Sequence, residues 1–165
     1  MSELSHMLDY MYENMDGREC VEDYHDRHGT QTAGILTVYD DERAGLIIDR
    51  LYDRIAGKVV VEIGGGIGLL ACHLAGVAKR VFCIECDPMW MSCYVTALYE
   101  HKPKNLTYIF GAAEEMAGLI RGDVALYCTH SGHQALRAVA EQFAPEVIDV
   151  YGELVGETNF VRGEP

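Results

Sequence analysis

The 165-residue chain predicts an α/β protein, a three-layer α/β/α sandwich around a mostly parallel sheet of five or six strands. Three observations carry that prediction. Val59, Val60, Val61 and Ile63 form a β-branched apolar run of the kind needed by a strand buried on both faces. Gly64, Gly65, Gly66 and Gly68 follow at once and remove Cβ atoms where the backbone must turn sharply and approach something closely. Helical spacing then returns at Leu69, Leu70, His73 and Leu74, and Val81, Phe82, Cys83 and Ile84 read as a second strand closed by Glu85. Residues 58–88 are therefore a βαβ unit.

The other elements fall into place around it. Residues 1–39 form an N-terminal helix and loop, and residues 40–165 the domain proper. Leu4, Met7, Leu8, Met11 and Met15 share one helical face. That helix packs on the domain or on a second subunit, or serves as a lid of adaptable methionines. His25 and His28, beside Asp23 and Asp26, have the spacing of a metal-binding helical face and equally that of a solvated polar face. Asp40, Asp41 and Glu42 are cap-like acids for a helix running to residue 56, with Leu46, Ile47, Leu51 and Ile55 as its buried stripe and Gly57 as its stop. After Pro88 a helix is expected over 89–101, with Trp90, Tyr94 and Leu98 facing the core. Residues 106–110 read as a third strand, 123–128 as a fourth and 134–143 as a helix stopped before Pro145. Val147, Ile148, Val150 and Tyr151 give a fifth strand.

Composition narrows the function. The formal charge of −13 argues against a nucleic acid held by its phosphates, which needs clustered Lys and Arg. No apolar stretch is long enough to span a bilayer and the N-terminus is acidic, which points to a cytoplasmic protein without membrane contact. The six cysteines read as small buried hydrophobes in a reducing compartment. Cys83 and Cys86 form C-x-x-C, but strand alternation sends them to opposite faces and no second pair exists, so no metal site is expected there.

The glycine turn departs from the dinucleotide fingerprint G-x-G-x-x-G, because position 69 is leucine. What stands is Glu62-x-Gly64-x-Gly66-x-Gly68, with Glu85 ending the next strand. This resembles the first motif of the class I S-adenosylmethionine-dependent methyltransferases. The resemblance implies a glycine turn (Gly64, Gly66, Gly68) against the methionine part of S-adenosylmethionine and Glu62 at the base of the site. It also implies Glu85 accepting both ribose hydroxyls, a pairing of two acceptor oxygens with a vicinal diol. The runs Asp41-Glu42-Arg43, Gly57-Lys58-Val59-Val60 and Cys83-Ile84-Glu85-Cys86 resemble the cofactor half of protein arginine methyltransferases. By that resemblance Arg43 grips the cofactor carboxylate, Cys86 lies in the cofactor site, and Ala113 and Glu114 meet adenine. An exposed helix charge at Arg43 and a bare helix N-terminal acid at Glu114 are the alternatives. Ala112 stands where many class I enzymes carry an aspartate. The resemblance also implies a sheet closed by an antiparallel pair for which the C-terminus is too short. A homodimer, a hetero-complex or the N-terminal helix would then cover the sheet edge.

The substrate half fits no known pattern. Residues 129–133 contain neither the two glutamates of the arginine enzymes nor the Asn/Asp-Pro-Pro-aromatic signature of amino-methylating nucleic-acid enzymes. His130 is the candidate base for a hydroxyl, thiol or amine acceptor, or else a loop histidine meeting only water; with His133 it would need further ligands to hold a metal. The expected function is methyl transfer from S-adenosylmethionine to a small molecule or partner protein. A non-catalytic S-adenosylmethionine-binding regulator or complex subunit is the alternative, and an NAD-dependent enzyme on a similar βαβ unit a third.

Overall fold

The computed structural model describes residues 41–88, 90, 91, 95, 102–128, 134–150 and 152. The helix and loop expected over 1–39, with His25 and His28, lie outside the described residues, as do His130 and His133. The described elements run α1 (Asp41–Ile55), β1 (Val59–Ile63), α2 (Leu69–Ala75), β2 (Arg80–Glu85), β3 (Leu106–Phe110), α3 (Ala113–Met116), β4 (Val124–Tyr127), α4 (Gln134–Ala140) and β5 (Glu146–Asp149). The five strands form one sheet in the order β3-β2-β1-β4-β5, and every pairing is parallel. The order reverses at β1, so the carboxyl ends of β1, β2 and β4 open onto the crevice where ligands of such sheets bind.

Period-2 alternation splits the apolar residues between two cores. Val60, Val81, Leu106, Val124, Leu126 and Ile148 face α1 and α2, while Val61, Ile63, Ile84, Ala125 and Tyr127 face α3 and α4. Trp90 is buried on the α1/α2 side, as its place in the expected stripe requires; Tyr94 and Leu98 lie outside the described residues. Helix α1 seats Ala44, Ile47, Leu51 and Ile55 in the core, and each large aliphatic side chain there contributes roughly 1.5–3 kcal/mol. Leu46 corrects the expected stripe. One residue before Ile47 it is turned about 100° around the helix, and it stands 52% exposed while Ala44 takes the buried place. Gly57, at φ 69°, ends the helix in the left-handed conformation.

Strand β5 is also shorter than expected. Asp149 Oδ1 accepts a hydrogen bond from Gly152 N at 3.0 Å, a side-chain turn that closes the strand, and Val150 is already helical. Tyr151 lies outside the described residues. Helix α4 ends at Ala140, where Gln142 N and Phe143 N turn to the carbonyls of Val139 and Ala140. No described helix is long and apolar enough to cross a membrane.

Candidate functional site

The site is built on the turn between β1 and α2. Gly64, Gly66 and Gly68 have φ of 71°, 55° and 88°, a region that side-chain-bearing residues avoid. The turn is tied to β2, because Gly64 N and Gly65 N both donate to Ile84 O, at 2.8 and 3.3 Å. Its two sides differ. A Cβ on Gly65 would lie 2.1 Å from Cys83 Sγ and 3.2 Å from Glu62 Oε2, so the inner side is pressed onto the sheet. A Cβ on Gly64 would meet nothing within 4 Å, so the turn is exposed at that position, while Gly66 and Gly68 are buried.

Strand register supplies the floor. Leu126, Glu62, Cys83 and Tyr108 stand side by side across β4, β1, β2 and β3. Glu62 is buried, and its Oε2 has no hydrogen-bond partner. Burial pushes its carboxyl up from 4.5 to about 8; the Cys83 thiol beside it pulls back and the Glu85 charge pushes further. Glu62 is thus a neutral acid at pH 7. Burial likewise raises Cys83, which keeps it a thiol. The Tyr108 hydroxyl donates to Gly66 O and props the turn from the β3 side.

Glu85, at the end of β2, reaches under the same turn. Its Oε2 accepts from Gly66 N at 2.8 Å, and its Oε1 accepts from Cys86 N at 2.7 Å and Asp87 N at 2.8 Å. Burial raises its pKa and these three donors lower it. A carboxylate has about four acceptor positions, so a diol meets one open position at Oε2 and gains the second by displacing an amide or rotating the group.

The expected site residues separate into those brought together and those left apart. Glu62, Gly64, Gly66, Gly68, Glu85 and Cys86 converge at the carboxyl ends of β1 and β2. Ala113 and Glu114 open α3 just after β3, where Gly111 N donates to Glu85 O at 2.9 Å. Ala113 is buried and Glu114 exposed, and Glu114 stands near enough to Cys86 to help raise its pKa, after burial, Glu85 and Asp87. Cys86 is exposed, unlike the buried hydrophobe expected, because β2 ends one residue earlier. Arg43 sits partly buried in the first turn of α1. Its helix is fixed to α2 by Asp41 Oδ1, 2.8 Å from His73 Nε2.

Sequence reasoning missed the roles of four residues. Tyr108 was one of four β-branched or aromatic positions in a five-residue strand until the parallel register put it beside Cys83. Asp41 and His73 are 32 residues apart and meet only through the packing of α1 on α2. Asp87, buried at 4% exposure beside Glu85, was legible only as the acid of an Asp-Pro step. Among the described residues no group of three or more His, Cys, Asp or Glu is placed to hold a metal.

No protein-family model and no curated protein sequence matches this chain. Solved structures do. A Pyrococcus horikoshii protein described as an RNA methyltransferase superposes with a TM-score of 0.53 at 24% identity, over 71% of this chain and 59% of that one. A precorrin-6y C5,15-methyltransferase of Geobacter metallireducens gives 0.55 at 16%, over 66% and 59%. An S-adenosylmethionine-dependent methyltransferase of Thiobacillus denitrificans, solved with S-adenosyl-L-homocysteine, gives 0.52 at 18%, over 63% and 44%. The fold is that of the class I, Rossmann-like methyltransferases. This chain spans 59% of the length of each of the first two neighbours. Their acceptors differ, RNA by name for one and a precorrin for the other, and lend no support to the expected exclusion of nucleic acid.

Proposed function

We propose that this domain binds S-adenosylmethionine above the β1–α2 turn and transfers its methyl group to a small molecule or a protein. The observation that supports this best is the pairing of a glycine turn exposed at Gly64 with the buried Glu85 carboxylate hydrogen-bonded to Gly66 N, at the point where the strand order reverses. The residues present fit that cofactor. Gly64, Gly66 and Gly68 let main chain approach the methionine part, Glu85 holds the ribose, and Glu62 lies beneath as an acid with an unpartnered oxygen. Ala113 and Glu114 take the adenine amino edge, Arg43 the carboxylate, and Cys86 lines the site between them.

When bound, the cofactor supplies an already activated sulfonium methyl. The protein's part is to hold acceptor and cofactor in line and keep water out, which provides most of the acceleration in such a reaction. His130, in the segment following β4, removes the acceptor's proton. A net charge of −13 supports an acceptor other than a phosphate backbone. A second subunit covering the β5 edge fits the same picture.

Calorimetry with S-adenosylmethionine and S-adenosylhomocysteine, beside NAD and NADP, tests the cofactor. Glu85→Ala is expected to weaken binding by about 1.5–3 kcal/mol, the worth of hydrogen bonds to a charged acceptor. Unchanged affinity in a folded Glu85→Ala protein removes the ribose assignment. S-adenosylhomocysteine formed from a metabolite or protein pool, and lost in His130→Ala, supports transfer. Tight binding without product means a cofactor-dependent regulator instead.

A further inference from the structure

Among the described residues at the turn, the Glu62 carboxyl is fully enclosed, with a hydrogen bond to the Cys83 thiol and its other oxygen unsatisfied. Its Oε2 is buried directly beneath Gly65 without a partner, although a carboxylic acid in such a place normally donates or accepts. The described groups that face it on β2, β4 and α2 are neutral or acidic. On β2 they are Cys83, in register beside it, and Glu85, on the same face; on α2 the nearest is Cys72, whose thiol is itself raised to about 12 by burial, Glu62 and Asp41. On the β4 side stands Leu126, and Tyr108 of β3 lies beyond Cys83. Helix α1, packed against α2, contributes Asp41, paired with His73, and Arg43 in its first turn. An ionised Glu62 would add a second buried negative charge near Glu85, which a cation lying over the exposed Gly64 side of the turn would offset.

We infer that occupancy of the glycine turn by a positively charged ligand is coupled to release of one proton from Glu62 to the solvent, so that the site favours a cation over a neutral nucleoside of the same shape. This rests on the cofactor proposal above, which supplies a sulfonium and an ammonium. The proton passes from the carboxyl to the buffer, and the resulting carboxylate is stabilised by the ligand's charge through the thin wall of main chain at Gly65. Below the carboxyl's own titration the ligand must expel the proton, so its affinity rises with pH. Neutral 5′-methylthioadenosine expels nothing.

The test is calorimetry of the whole chain with S-adenosylmethionine and with 5′-methylthioadenosine, in buffers of different ionisation enthalpy, between pH 6 and 7.5. Close to one proton released by S-adenosylmethionine and none by 5′-methylthioadenosine is expected, with S-adenosylmethionine affinity rising roughly tenfold per pH unit. In Glu62→Gln both the release and the pH slope should vanish. Binding of S-adenosylmethionine without proton release, or release that persists in Glu62→Gln, overturns the inference and leaves the cofactor proposal standing. Failure of S-adenosylmethionine to bind at all overturns both. Should Glu62→Gln not fold, infrared difference spectra of the wild type decide the matter. Loss of a protonated-carboxyl band on adding S-adenosylmethionine supports the coupling, and an unchanged band refutes it.

Discussion

Replacing Glu62 with glutamine should remove the pH dependence that this buried acid imposes on stability. Burial lifts its carboxyl from 4.5 to about 8. Across that interval the folded state holds the proton more tightly than the unfolded chain, so the sign is the opposite of a salt-bridged carboxylate. The stabilising contribution is complete below pH 4.5 and is lost as pH rises through about 8. At about 1.4 kcal/mol per pH unit the whole span comes to about 5 kcal/mol, of which about 3 falls between pH 5 and 7.5. Glutamine keeps the size and polarity of the neutral acid and does not titrate. Urea unfolding of both proteins at several pH values, with matched m-values, isolates the effect. The raised Glu85 is present in both proteins with the same sign, so it largely cancels in the difference. The variant should gain on the wild type by about 3 kcal/mol between pH 5 and 7.5. Parallel stability profiles would refute both the burial argument and the assignment of Glu62 as neutral.

Four further outcomes follow from the same geometry. Gly65→Ala places a methyl 2.1 Å from Cys83 Sγ and should cost about 1–3 kcal/mol by overpacking; Cys83→Ala should recover part of it in a double-mutant cycle of unfolding energies. Tyr108→Phe removes the hydroxyl held by Gly66 O and should cost about 1 kcal/mol of stability, read by denaturant midpoint, with weaker cofactor binding as the turn loosens. Glu85→Gln cannot satisfy Gly66, Cys86 and Asp87 together, since one of its two heads is a donor. The orphaned amide should cost about 1–3 kcal/mol and show as faster hydrogen exchange at Gly66. Glu146, lowered chiefly by Arg54 and Lys58, stabilises above its unfolded pKa and loses that contribution as pH falls. With side chains about a third exposed, Glu146→Gln should cost less than about 1 kcal/mol near neutrality and nothing in acid.

How much of this was legible beforehand depended on whether the cause was local. The valine run, the glycine turn and the strand-end Glu85 are consecutive-residue signals, and the βαβ unit stands where they put it. Helix α1 was visible from its period, yet its stripe was displaced at Leu46, because apolar character alone does not say which side of a helix a residue takes when a small Ala44 fits the contact better. Strand β5 was overrun at Val150 because a turn closed by Asp149 and Gly152 outweighs the β-propensity of valine. The floor of the site was the least legible part. Leu126, Glu62, Cys83 and Tyr108 come from four strands, and their adjacency is a property of parallel register that no single window of sequence contains.

That row also separates the two simplest accounts of the glycine turn. A strand–helix turn without a ligand needs glycine at 64, 66 and 68 for their positive φ and at 65 for clearance above Cys83. It does not need an acid at 62. The neighbouring position in the same row is Leu126, fully buried, which shows that an aliphatic side chain suits that face of the sheet. Leucine at 62 would spare the fold an unpartnered polar oxygen, whose burial costs about 1–3 kcal/mol, and would add apolar burial besides. Stability therefore gives no reason for Glu62, whereas the cation proposed to lie over the turn would give one. The buried acid, more than the glycines above it, is the feature by which the proposed binding turn would differ from a merely tight one.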